Sequence, residues 1–341
     1  MKAKNVLFIA HTFSSFVLRD VEILEKKYHV KQFTYHGKND ILSNFTSQIA
    51  LKFWLLRHIG SAHAIYIWFA DYHAFLPVLF GKIWKKKVIL VEGGYDTANV
   101  PEIHYGSHYK RLRSFCSTYA MNHATLNLPV SDTLVPEIKE RAPHAVIRRL
   151  YTGYDADVFT PGAKKEKIVL TVAGGNTLQR IRLKGVDIFV QVAQNMPEYR
   201  FIIVGIGEKG KNHLGPLPEN VSIIGKMPQE ELIAYYQKAS IYAQFSMREG
   251  LPNVVCESML CGCVPVGFDA GGTSIAIGDA GYIIKEKTVE NAVVAIRAAM
   301  NCVDELGPQA RERIIRKFPQ QLRENTLLQI MEAPKNSMKQ S

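Results

Sequence analysis

A chain of 341 residues with 47% hydrophobic and 21% charged side chains is too apolar to be disordered and long enough that two domains are expected. Its 42 Lys and Arg against 31 Asp and Glu leave a net charge of +11, which calls for an acidic partner. The longest apolar stretch, AIYIWFADYHAFLPVLFGKIW, is interrupted by Asp71, His73 and Pro77, which argues for a strand, a turn and a helix and against a membrane span.

In chain order, MKAKNVLFIAHTF has a short apolar run without a small-residue cleavage site. It reads as a first strand and not a signal peptide, so a cytoplasmic chain is expected. Apolar periodicity predicts strands over 5–10, 29–34, 64–69, 87–91, 125–130 and 146–150. Helices are predicted between them over 15–26, 46–58, 72–84 and 110–120, with another running from a cap at Ser131 or Asp132 to about 140. The turn-rich, charged stretch TGYDADVFTPGAKKEK then marks a boundary near 154–165. Strands follow over 168–173, 200–204, 221–224 and 241–245, with helices over 185–194 and 229–238. Pro252 suits a first helical position, where its missing N–H costs nothing; a helix over 253–261, the buried strand VPVGF and the turn DAGG come next. The tail predicts helices over 289–302 and 309–317, and a last one from Pro319 that packs back on the first half. This alternation implies an α/β protein with two doubly wound parallel sheets, in domains of 1–158 and 164–318 with a tail of 319–341.

Five cysteines without a Cys-x-x-Cys pair, three of them on the apolar segment 256–263, read as small buried hydrophobes. Lys82, Lys85, Lys86 and Lys87 form one basic cluster and Lys110, Arg111 and Arg113 another, interleaved with Trp84, Tyr105 and Tyr109. An anionic membrane surface or a phosphorylated lipid acceptor fits them; no zinc-finger, RNP-type or helix-turn-helix pattern supports nucleic acid.

The densest chemistry lies in REGLPNVVCESMLCGCVPVGFDAGG, residues 248–272. Glu249 precedes a helix start and Glu257 lies inside that helix, beside free backbone N–H groups that favour anions. The order resembles the Glu-x7-Glu signature of retaining glycosyltransferases of family 4, with the GT-B fold of two Rossmann-like domains and substrates between them. Other segments carry the resemblance from about 125 to 285: LPVSDTLVPEI, the linker TGYDADVFTP, RLKGVDIFVQVA and FIIVGIGEKG.

The resemblance implies transfer of a sugar from a UDP- or GDP-sugar to a hydroxyl of a glycan or lipid-linked acceptor, as in surface polysaccharide or glycolipid synthesis. It implies Glu249 at the donor sugar, Glu257 at the nucleotide ribose, and Lys184 at the diphosphate. The family pairs that lysine with an arginine one turn earlier. Here the position falls near Gly175-Asn176, so Arg180 or Arg182 is expected to supply the charge. Gly205, Gly207, Lys226, Met227, Gly250, Leu251, Pro252, Asn253, Gly271 and Gly272 complete the expected donor side. The Gly205-x-Gly207-x-x-Gly210 run follows a strand, but no acid ends the next strand to bind a ribose, so a turn near the donor's phosphates is a better reading than a dinucleotide site. Backbone N–H groups at 250–253 and 271–273 are expected to help hold the diphosphate, with no metal and no cofactor.

On the first half the sequence departs from the family. The loop after the first strand is HTFSSF and lacks the usual glycines, and EGGYD stands where a histidine is usual. Ser14, Ser15, Gly94 and Asp96 are the expected acceptor or sugar contacts, with Glu92 as a substitute for Asp96 and His11, His73, His104 and His108 as further candidates. A nucleotide-sugar epimerase of the same fold, or a silent nucleotide-sugar-binding protein, are the alternatives. Peripheral attachment to the inner face of the cell membrane is the expectation for location.

Overall fold

The computed structural model describes residues 4–37 and 40–339 and divides into two compact units, 1–152 with 321–341, and 153–320. The first unit starts with β1 (Lys4–Ala10), α1 (Ser15–Glu25), β2 (Tyr28–Thr34), α2 (Ile41–His58), β3 (Ala62–Trp68) and α3 (Tyr72–Ile83). It continues with β4 (Lys87–Glu92), α4 (Arg111–His123), β5 (Leu126–Pro129) and α5 (Leu134–Arg141). The second unit holds β6 (Glu166–Val172), α6 (Leu178–Lys184), α7 (Val186–Gln194), β7 (Arg200–Val204), α8 (Glu208–Lys211), β8 (Val221–Ile224), α9 (Gln229–Lys238) and β9 (Ala239–Gln244). It ends with α10 (Asn253–Leu260), β10 (Val264–Phe268), α11 (Gly272–Ile277), β11 (Tyr282–Ile284), α12 (Val289–Asn301) and α13 (Val303–Lys317), after which α14 (Gln320–Glu332) returns to the first unit.

Both sheets are wholly parallel, in the orders β2-β1-β3-β4-β5 and β11-β10-β9-β6-β7-β8. The central strands are near-continuous runs of Val, Ile and Leu because helices cover both of their faces. In β3, Ile65 packs toward Gly81 of α3, while Tyr66 and Trp68 on the other face donate hydrogen bonds to Asp20 of α1 at 2.7 and 2.8 Å. In the second unit Val169, Phe189, Phe201, Ile203, Ile241 and Val266 anchor one buried core.

Two buried cations fasten α14 to the rest of the first unit. Arg323 donates through Nε and Nη2 to the buried Asp20 carboxylate, both at 2.7 Å, and through Nη1 to the carbonyls of Leu150 and Tyr151. This bidentate geometry is the strong form of the pair. Lys87, grouped by sequence with a surface cluster, is only 5% exposed. Its ammonium donates to the carbonyls of Ile330, Met331 and Ala333, satisfying the orphaned C-terminal end of α14.

Several local expectations are corrected. Residues 146–150 make one isolated bridge, Asn127 to Ile147, and not a strand, although Arg148 and Leu150 donate to the carbonyls of Asn127 and Pro129. Neither Ser131 nor Asp132 caps α5; the capping position is Thr133, without a side-chain hydrogen bond, and Asp132 pairs instead with Arg149. Pro252 occupies the N-cap of α10, one residue before the helix. The short helices α6, α8 and α11 and the strand β11 have too few residues to show a period.

Candidate active site

The second unit's site is assembled where β9 ends. Gly185, with φ of 64°, breaks the chain between α6 and α7, and a Cβ there would stand 2.1 Å from the Phe245 carbonyl oxygen. Only glycine allows that approach. Met247 N–H then donates to the Leu183 carbonyl at 2.9 Å, so the end of α6 is fixed on the loop after β9. Lys184 is therefore the last residue of α6 and, with Gly185 as the N-cap of α7, also stands just before a helix start as its sequence context suggests. Its ammonium lies 2.6 Å from Glu249 Oε1, with the side chains 22% and 12% exposed. Gln244 Nε2 donates to the same oxygen at 2.9 Å, and its own carbonyl accepts from Tyr242 OH at 3.1 Å. Tyr242 OH in turn accepts from Val172 N–H at 3.2 Å. A buried file of polar groups thus aims Glu249. The sequence reading does not single out Gln244 or Tyr242, though two polar groups on a buried strand were a usable signal.

Gly272 sets the next layer. Its N–H donates to the Glu249 carbonyl at 3.0 Å, and a Cβ on it would meet the Gly250 oxygen at 1.5 Å. Gly271 turns the chain there at a φ of 60°. The N–H groups of Gly272 and Thr273 are spent inside the loop, on the carbonyls of Glu249 and Ala270, so they are not open to a phosphate as expected. Gly250, Leu251 and Pro252 are buried in the same loop. Glu257 is buried in α10 and accepts from Gln229 Nε2 at 3.1 Å; Asn253 Oδ1, at the start of α10, accepts from Tyr154 OH at 2.8 Å.

The remaining donor-side candidates fall around this group. Gly205 turns at a φ of 103°, and Gly207 N–H donates to Asn176 Oδ1 at 2.9 Å, which joins the loop after β7 to the one after β6. Lys226 is exposed and Met227 half-buried after β8. Arg180 and Arg182, the proposed helpers of Lys184, are both exposed, and neither side chain pairs with an acid among the described residues. The structure brings Lys184 and Glu249 together and leaves both arginines outside that pair.

At the strand ends of the first unit the expected contacts face inward. Asp96 is wholly buried, and its carboxylate accepts from the N–H groups of Ala70, Gly93 and Gly94 at 2.5, 2.6 and 3.1 Å. Burial pushes its pKa up to about 7. Asp96 ties the loops after β3 and β4 together and does not present an oxygen to a ligand, contrary to expectation. Glu92 is also wholly buried, neither oxygen has a hydrogen-bond partner, and burial with the nearby Asp96 charge raises its pKa well above the carboxylate range. Gly94 is buried, Ser14 half-buried with its hydroxyl unpartnered, and Ser15 exposed.

His11 follows β1 and Asp71 follows β3, on the two sides of the point where strand order reverses. Their side chains are 3.9 Å apart, and Asp71 Oδ1 is 2.9 Å from Arg113 Nε. Arg113 is buried there and also donates to Tyr95 OH at 2.6 Å, so it leaves the surface cluster assigned to it. His73 is buried with Nε2 on the Trp68 carbonyl, His104 is exposed, and His108 Nδ1 meets Ser114 Oγ. Among the described residues no three His, Cys, Asp or Glu side chains converge to hold a metal ion. No described helix is long and apolar enough to cross a membrane.

Residues 158–320 match the family model described as "Glycosyl transferases group 1". A D-inositol 3-phosphate glycosyltransferase from Mycolicibacterium smegmatis is 28% identical over 149 residues, covering 38% of this chain and 34% of that protein. The Vi polysaccharide biosynthesis protein VipC/TviE of Salmonella typhi is 29% identical over 127 residues, 35% of this chain and 22% of that protein. The chain thus aligns with about a third or less of these relatives. In fold it is similar to sucrose-phosphate synthase from Thermosynechococcus elongatus, with a TM-score of 0.78, 14% identity, and 96% of this chain and 98% of that one covered. It is also similar to Anabaena HepE in complex with UDP, with a TM-score of 0.75, 15% identity, and coverage of 96% and 99%. The chain has the GT-B fold, and its residues 158–320 are similar to the glycosyl transferases group 1 family.

Proposed function

We propose that the protein transfers a sugar from a nucleotide-diphosphate sugar to a hydroxyl acceptor, with retention at the anomeric carbon and without a metal ion. The observation that carries this reading is the half-buried Lys184–Glu249 pair at 2.6 Å, held by Gln244 at the end of β9. Negative charge grows on the diphosphate as the glycosidic bond breaks, and a fixed ammonium lowers that barrier. Lys184 carries three N–H donors, so it can keep Glu249 and still accept the leaving group as a partner. Glu249 is then placed to hold donor sugar hydroxyls and to face the developing oxocarbenium carbon. Glu257 is assigned to the nucleotide ribose. It is not a covalent nucleophile, and neither is Glu249; the departing diphosphate takes the proton of the incoming hydroxyl on its own side.

HepE was solved with UDP and with UDP-glucose, and this supports a uridine nucleotide as the first donor to try. The name of the Vi polysaccharide relative supports a glycan acceptor. A second reading, binding without turnover, is favoured by Arg180 and Arg182, which are exposed and stand outside the Lys184–Glu249 pair. The deciding experiment is a hydrolysis and transfer assay over a panel of UDP- and GDP-sugars in excess EDTA. Turnover, with retained stereochemistry by proton NMR, is expected. Tight donor binding with no turnover would replace the enzyme by the binding protein, and activity restored only by Mg²⁺ or Mn²⁺ would overturn metal independence.

A further inference from the structure

Helices α2, α3 and α4 pack side by side on one face of the first unit's sheet, away from α1 and α14. The outer side of this layer is unusually apolar. On α2, Leu42, Phe45, Ile49, Phe53 and Leu56 are between 41% and 73% exposed. At 100° per residue these five lie within an arc of about 80°, opposite Leu51 and Leu55, which are fully buried. A helix apolar on both its inner and outer sides needs a second apolar medium outside. Ile83 and Trp84 at the end of α3, and Leu112 and Phe115 on α4, extend the exposed set. Nine of the sixteen strongly exposed large apolar side chains among the described residues therefore fall on these three helices and their ends. Scattered exposure is ordinary, but such concentration marks an interaction surface.

Apart from Asp40, the exposed N-cap of α2, the charges on the same layer have one sign. Residues 41–131 contain four acids, Asp71, Glu92, Asp96 and Glu102, and the first three are buried. Lys52 and Arg57 flank the apolar stripe of α2 on its two sides, and both are exposed. Lys82 and Lys85 lie at the end of α3 and Arg111 at the start of α4, also exposed. An open hollow of about 570 Å³ runs along α4, lined by Tyr109, Arg111, Phe115, Tyr119 and His123 among others.

We propose that this face seats on an anionic phospholipid surface, with the α2 stripe in the acyl boundary and the flanking Lys and Arg at the headgroups. The pattern of an apolar stripe bordered by basic residues is that of a helix lying in the plane of an interface. A second copy is the poorer occupant, because a two-fold interface repeats the same patch on both sides and would set cation against cation. The face differs from the basic clusters the sequence suggests: Lys87 and Arg113 leave it, and an apolar helix the charge count ignores becomes its centre.

The test is co-sedimentation of the full chain with vesicles of phosphatidylcholine alone and of phosphatidylcholine with 30% phosphatidylglycerol, without any nucleotide sugar, so that its outcome is independent of the transfer reading. Binding is expected only to the acidic vesicles. It should fall about fivefold for each of Lys82→Gln, Lys85→Gln and Arg111→Gln. It should also drop several-fold between 0.1 and 1 M salt, as the screening length shortens from about 10 to about 3 Å. The pair Phe45→Ser with Phe53→Ser should lower binding at least tenfold, while Val294→Ser, equally exposed in the second unit, should not change it. Both variants sit at exposed positions, and an unchanged thermal midpoint checks that they fold. Equal binding to both vesicle types, binding unaffected by the Phe pair, or a dimer in sedimentation that the Phe pair dissolves would each overturn the proposal.

Discussion

The carboxyl ends of the two sheets hold their acids by different kinds of partner. In the second unit Glu249 is held by an ammonium and a side-chain amide, Lys184 and Gln244, which can turn to a ligand without disturbing the backbone. In the first unit Asp96 is held by three backbone N–H groups, which it can release only if the loops after β3 and β4 open. Glu92, four residues earlier, has no side-chain partner, lies near only the backbone N–H groups of its own residue and Leu128, and is shut away from water. The same residue types near the carboxyl ends of two parallel sheets are left movable by side-chain partners in one and clasped by backbone in the other. The partner, and not the acid, decides which.

That contrast predicts opposite phenotypes for two carboxylate removals. Glu249→Ala should lower sugar transfer at least about hundredfold, or roughly 2.7 kcal/mol of barrier, with little change in thermal midpoint. Normal turnover in the variant would remove Glu249 from the site. Asp96→Asn should do the reverse and cost about 1–3 kcal/mol of stability, since an amide presents one acceptor oxygen where three N–H donors converge. An Asp96→Asn protein as stable as the parent in urea titration would mean that the clasp does not hold the loops. Glu257→Ala should weaken nucleotide binding by about 1–3 kcal/mol in calorimetry, and unchanged donor affinity would take the ribose away from Glu257.

Much of this was legible in the sequence where the signal is local. The parallel alternation and the helix over 229–238 follow from apolar period, and the strand VPVGF from a short apolar run bounded by glycine turns. Glu249 and Lys184 could be named in advance because the segments around them, REGLPNVVCES and RLKGVD, resemble the family's motifs. Their separation of 2.6 Å could not, because it depends on Gly185 packing against Phe245, sixty residues away in the chain. The same limit explains the errors. Lys87 and Arg113 look like members of surface clusters until α14 and Asp71 are brought against them. Asp96 looks like a loop acid until three amides from two loops converge on it. Sequence reports the charge of a side chain, and only the tertiary fold reports whether that charge is already spent.

A dependence on pH separates a buried acid from one that a ligand can reach. Burial, with the Asp96 charge beside it, raises the Glu92 pKa in the folded chain well above its ordinary range, whereas in the unfolded chain it ionises near about 4.3. Between those two values the unfolded chain gives up a proton that the folded chain keeps, so stability is lost as pH rises through the window and is intact below it. Gln cannot ionise and fills nearly the same volume. Glu92→Gln should therefore match the parent in urea midpoint at pH 4 and become the more stable protein as the pH is raised to 8. Asp96 shifts the same way in both proteins and so drops out of the difference. A variant less stable at pH 8 than the parent would show that the Glu92 carboxylate finds a partner when it ionises, and the first unit's acid would then be as available as Glu249.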